Sequence, residues 1–160
     1  MFISNEVSRH ALNNLDSESN ALADQRSTML IVEDALIHSN IINRIAGRVG
    51  FIADGARSYE DACKILSERQ FDCITLDLVL GEHVGLDVFR YLAAIRCRAQ
   101  IIVVSQADRD VCDDMVQLGR ALDLNVYVFV QKPIDIALLR DTLEHIRMQL
   151  VLQKLGSGQV

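Results

Sequence analysis

Four places in the chain carry side chains that together could handle a cation and a phosphoryl group. Glu33 and Asp34 close the apolar run Met29-Leu30-Ile31-Val32, and Asp77 closes Cys73-Ile74-Thr75-Leu76. Ser105 closes Ile101-Ile102-Val103-Val104, and Lys132 follows the run Val126-Tyr127-Val128-Phe129-Val130. Taken alone, Asp77 is open to a plainer role as a helix cap or turn residue. Its company changes that reading. Carboxylates gathered in one place repel unless a cation neutralises them. Mg²⁺ suits such a set, because it takes hard oxygen ligands and keeps open positions for a phosphoryl group. A lysine and a hydroxyl beside it supply a charge and a donor for phosphoryl oxygens. Asp77 is then the candidate carboxylate nucleophile, forming an aspartyl phosphate.

These residues converge only if the elements before them lie side by side. The apolar runs alternate too little for half-exposed strands and read as strands covered on both faces. Between them lie helical spacings: Ile37, Ile41, Ile45 and Val49, stopped by Gly50; then Ala62, Ile65 and Leu66 behind a Ser58/Asp61 capping box. Val88, Phe89, Leu92 and Ile95 form a third series, Val111, Met115, Leu118 and Leu122 a fourth, and Leu139, Leu143, Ile146 and Leu150 a fifth. Phe51-Ile52-Ala53 reads as a brief second strand ending at an Asp54-Gly55 turn. Five strands alternating with five helices predict an α/β fold with a parallel sheet covered on both faces. In such a sheet the carboxyl ends of the strands share one crevice.

The chain has 160 residues, half of them apolar, and a formal net charge of −6. No basic stripe is present to neutralise phosphates, so nucleic acid is not expected as a partner. No apolar run reaches membrane-spanning length and no signal-peptide pattern opens the chain, so a cytoplasmic location is expected, with no membrane partner. Cys63, Cys73, Cys97 and Cys112 form no C-x-x-C pair and read as small core hydrophobes.

The motif set resembles the receiver (CheY-like) domain of two-component response regulators. The likeness rests on I-V-E-D at 31–34, I-T-L-D-L at 74–78 with Gly85 beyond, V-V-S at 103–105 and F-V-Q-K-P-I at 129–134. It implies a flavodoxin-like doubly wound sheet of order 2-1-3-4-5. It also implies that Asp77 is the phosphoacceptor, and that Glu33, Asp34, Asp77 and the carbonyl of Val79 hold Mg²⁺. Ser105 and Lys132 would meet the phosphoryl group, Phe129 would be the aromatic switch, and Lys132-Pro133 would be a cis bond. The implied partners are a histidine kinase or histidine phosphotransfer protein, together with a downstream target or an output domain outside this chain. The implied role is signalling rather than metabolic catalysis. The L-G-R-A-L-D-L-N-V-Y run further resembles receivers joined to cyclic-di-GMP phosphodiesterase domains.

Some residues depart from the family pattern. Gly81 replaces a common proline, which predicts a less restrained loop, and Gln106 replaces a small residue beside the phosphoryl site. Gln106 keeps open a phosphate-independent adaptor. An aspartate-nucleophile phosphatase would need a second Asp two places past the nucleophile, where Val79 stands. The domain reading is a polar extension over 1–26, a receiver over 27–150, and a helix end and tail over 151–160. His10 lies in that extension and reads as part of a polar tail. His38, His83 and His145 lack metal-ligand spacing and read as surface or capping residues. Val151, Leu152 and Leu155 prolong the apolar face, which fits a homodimer seam, a linker, or a cover for the sheet edge.

Overall fold

The computed structural model describes residues 26–158, so the N-terminal extension and His10 lie outside the described residues. In chain order the elements are β1 (Ser27–Val32), α1 (Leu36–Val49), β2 (Phe51–Ala56), α2 (Tyr59–Glu68) and β3 (Cys73–Leu76). Then come β4 (Val79–Leu80), β5 (His83–Val84), α3 (Gly85–Ala94), β6 (Gln100–Ser105), α4 (Arg109–Ala121), β7 (Asn125–Gln131) and α5 (Ile136–Ser157). The main sheet has five parallel strands in the order β2-β1-β3-β6-β7, while β4 and β5 form a separate antiparallel hairpin. Apart from that hairpin, this is the expected doubly wound order.

Each central strand feeds two cores. Leu30 and Val32 face a core shared with Ala62, Phe89 and Cys112, which belong to α2, α3 and α4. Met29 and Ile31 face the opposite core, with Ile42 and Ile45 of α1 and Leu143 and Ile146 of α5. The period of two is real but invisible in composition, because apolar side chains are needed on both sides.

Several sequence expectations change. Asp54 and Gly55 are not a turn: β2 pairs with β1 as far as Ala56, with Leu30 opposite Asp54 and Ile31 opposite Gly55. As an edge strand it keeps Asp54 within reach of solvent, where the carboxylate pairs with Arg69. On α1, Ile37 points outward, and Ile42, Ile45, Ala46 and Val49 are buried. Ile95 is exposed because α3 has already ended at Ala94. On α4 the buried stripe is Cys112, Val116 and Gly119, leaving Val111 and Leu118 outside. The reason is a close approach: a Cβ on Gly119 would lie 2.5 Å from Val126 Cγ2, so the helix presents its glycine to β7. The last helix behaves as expected, with Leu139, Leu143 and Ile146 buried, while Met148, Leu152 and Leu155 are exposed toward its end.

Candidate functional site

The carboxyl ends of β1, β3, β6 and β7 bring all four polar features together. Glu33 leaves β1 with its N–H donated to the Ala56 carbonyl, and Asp77 leaves β3 with its N–H donated to Val32. Lys132 leaves β7 with its N–H donated to the Ser105 carbonyl at 2.9 Å. Extending the ladder past each strand's last residue makes the exit directions parallel, so the next side chains converge.

The Lys132 ammonium donates to Glu33 Oε2 and to Asp77 Oδ2, each at 2.7 Å. All three side chains are almost fully buried. Each carboxylate uses its other oxygen locally, Glu33 Oε1 accepting from Ala35 N–H at 3.0 Å and Asp77 Oδ1 from Val79 N–H at 3.1 Å. Burial alone would lower the lysine's pKa, but hydrogen bonds and charge from Asp77 and Glu33 more than reverse this and hold it above the ordinary value. The ammonium is therefore locked in its charged form.

Asp34 differs from its neighbours by standing exposed at the mouth. Glu33, Asp34 and Asp77 nonetheless bring one oxygen each within 4.8 Å of one another. Three hard oxygens, two anchored and one open to water, fit the donor chemistry of Mg²⁺, which keeps part of its hydration shell. Ser105 is fully buried, and its Oγ accepts from Ala107 N–H at 3.3 Å. Gln106 is exposed. The Lys132-Pro133 peptide is cis.

Phe129 reaches its face through an irregularity in β7. Ile101 pairs with Val126 but Ile102 pairs with Val128, so Tyr127 is an extra residue. Val126 faces the core of α2, α3 and α4, Tyr127 and Val128 face the other, and Phe129 returns to the first. Ser105 continues the series Ile101 and Val103, which face that same side. The bulge thus puts Phe129, half-buried, on the Ser105 side of the sheet.

The loop after Asp77 is more ordered than the sequence suggested. Val79 and Leu80 pair with Val84 and His83 around Gly81-Glu82. Gly81 has φ +58°, and Glu82 is not among the residues with positive φ, which is the pattern of a tight hairpin turn with glycine first. Proline, fixed near φ −65°, has no place there. Leu78 and Leu80 anchor the hairpin in the core. Two histidines read from sequence as surface residues sit close to the site. His38 Nδ1 lies 3.8 Å from Glu33 Oε1, and His83 lines a cavity of about 280 Å³ with Asp34, Arg57, Ser58 and Gly81. No spacing rule links either one to the carboxylates, since the approach is made across elements.

Comparisons with known proteins identify the family and the fold. The family model described as response regulator receiver domain matches residues 29–144. The regulatory protein VirG of Agrobacterium tumefaciens is 31% identical over 121 residues, covering 76% of this chain and 38% of VirG. The response regulator protein PilR of Pseudomonas aeruginosa is 25% identical over 116 residues, covering 72% of this chain and 25% of PilR. The chain therefore spans well under half the length of these curated relatives. A solved response regulator receiver domain (CheY-like) from Methylobacillus flagellatus superposes with a TM-score of 0.61 at 27% identity, covering 76% of this chain and 98% of that one.

Proposed function

The chain belongs to the response regulator receiver domain family of two-component signalling, and from that premise we propose that Asp77 accepts a phosphoryl group from a phosphohistidine on a partner protein. A carboxylate oxygen of Asp77 attacks phosphorus, the donor's P–N bond breaks, and the imidazole leaves. Glu33, Asp34, Asp77 and the Val79 carbonyl would hold Mg²⁺, which would neutralise charge developing on the phosphoryl oxygens. The observation that carries this reading is the lysine bridge, with Lys132 Nζ at 2.7 Å from both Glu33 and Asp77. Lys132 is placed to follow the charge from the Asp77 carboxylate to the phosphoryl oxygens, and Ser105 to donate to them.

Phosphorylation would be read out by Ser105 moving toward the phosphoryl group and Phe129 turning into the space beside it, which reshapes the surface of α4, β7 and α5. That surface would meet the downstream target or an output domain. For the donor, exposed Ile37 and Ile136 line a cavity of about 330 Å³ together with Ile41 and Arg44, an apolar patch on the α1 and α5 side of the fold. A histidine kinase or phosphotransfer protein covering this patch would present its phosphohistidine to Asp77 and exclude water. In this reading residues 27–150 are the receiver. Among the described residues no helix is long and apolar enough to cross a membrane.

Intact-mass measurement after acetyl phosphate and Mg²⁺ tests the proposal. One added phosphoryl group, absent in Asp77→Asn, is the expected result; no addition in the wild type overturns it and leaves a phosphate-independent adaptor, while equal addition in the variant overturns Asp77 as the acceptor.

A further inference from the structure

One side chain holds the β4–β5 hairpin from outside. His83 Nε2 lies 3.1 Å from Glu60 Oε1 of α2, and Nδ1 lies 3.4 Å from Asp87 Oδ2 of α3. The imidazole also stacks on Tyr59, with ring centroids 4.6 Å apart and planes 26° from parallel. Ionised carboxylates only accept hydrogen bonds, and a neutral imidazole has a single N–H. Both contacts are hydrogen bonds at once only when both ring nitrogens carry protons.

Acidic groups outnumber basic ones around the ring. Besides Glu60 and Asp87, Glu82 stands on the hairpin itself, and Asp34 lines the same cavity, with Arg57 the opposing positive charge there. The Glu60 carboxyl is held below its usual value, chiefly by its own backbone N–H, with His83 and Ser58 adding to the effect. It stays ionised across the range where histidines titrate.

We propose that His83 is a positioning residue whose imidazolium clasps the hairpin to α2 and α3. The clasp fixes Val79, whose N–H orients Asp77 Oδ1, and so governs how freely water reaches the phosphoacceptor. Loss of one proton releases one arm and loosens the hairpin, so the clasp is shut at lower pH and opens as pH rises. Its consequence for the phosphoryl group rests on the role proposed for Asp77; the clasp itself does not.

Amide hydrogen exchange of residues 79–85 in the unphosphorylated protein, divided by intrinsic rates at each pH, reads the clasp directly. Between about pH 5 and 8 the wild type is expected to lose about threefold to tenfold of its protection. His83→Arg keeps two donors and a planar group to stack on the Tyr59 ring at every pH, so its protection stays high and flat. His83→Gln has one donor arm and stays low and flat. A flat wild-type profile, or a His83→Arg profile that follows the wild type, overturns the clasp. In parallel, the lifetime of the aspartyl phosphate should shorten with pH in the wild type beyond any change seen in His83→Arg; equal lifetimes overturn the role over Asp77. If Asp77 takes no phosphoryl group at all, the functional reading fails while the exchange experiment still decides the clasp.

Discussion

Gly85 donates its backbone N–H to the Leu78 carbonyl at 2.7 Å, and a methyl group on Gly85 would sit 2.6 Å from Leu78 Cδ2 and 3.1 Å from its Cα. The start of α3 is thereby pressed against the residue that follows Asp77. Leu78 in turn is buried in the core of α2, α3 and α4, so the backbone beyond Asp77 is held from both sides.

Gly85→Ala is therefore expected to destabilise the protein by about 1–3 kcal/mol, as overpacking does in a filled site. The contact includes a backbone atom of Leu78, so relief requires moving the loop rather than one rotamer. Urea unfolding measures the first effect. Slower acetyl phosphate labelling of Asp77 in the folded variant measures the second.

Lys132→Ala leaves two buried carboxylates without their shared cation, a loss of about 3–5 kcal/mol in comparable cases. Added Mg²⁺ should restore part of it in unfolding experiments, because the ion replaces the missing charge. The sign with pH follows from the lysine's raised pKa. Its contribution is complete below the ordinary lysine value and is lost only as pH rises through the higher folded value. The wild type should show this alkaline loss and the variant should lack it.

Cys73 lies in the middle of the sheet, and burial pushes its thiol up to about 12. An unfolded thiol ionises near its ordinary value of about 8.5. Between those limits the unfolded chain releases a proton that the folded one keeps, so stability falls as pH rises through that window. At about pH 8, labelling with a thiol reagent should reach the half-buried Cys63 and Cys97. Cys73 and Cys112 should react only on unfolding, which peptide mapping resolves.

Gly81→Pro is expected to cost more than about 1 kcal/mol and to abolish the Val79–Val84 pairing, visible as lost cross-strand NMR contacts. A Cβ at Gly81 would meet nothing within 4 Å, so the effect is one of backbone conformation alone. Gly81→Asn, which tolerates the left-handed region, should keep the pairing.

The four-part candidate site was legible in the sequence because parallel strands all deliver their carboxyl ends to one pole. Reading which polar residue ends each apolar run was then enough to bring Glu33, Asp77, Ser105 and Lys132 together. The continuity of Met29–Val32, Cys73–Leu76 and Ile101–Val104 was equally plain, since strands buried on both faces need apolar residues at every position.

What the chain's local pattern could not carry depends on neighbours distant in sequence. Asp54 and Gly55 look like a turn, yet they extend a strand because β1 offers them a ladder. The inward face of α4 is set by where Gly119 can approach Val126. Phe129 reaches the Ser105 side because one extra residue in β7 shifts the alternation. His83 acquires its partners from α2 and α3, which the fold brings to opposite edges of one imidazole. Sequence determined which residues end the strands, because strand burial is written locally; the tertiary structure decided faces, registers and approach distances, because those energies come from atoms on other elements.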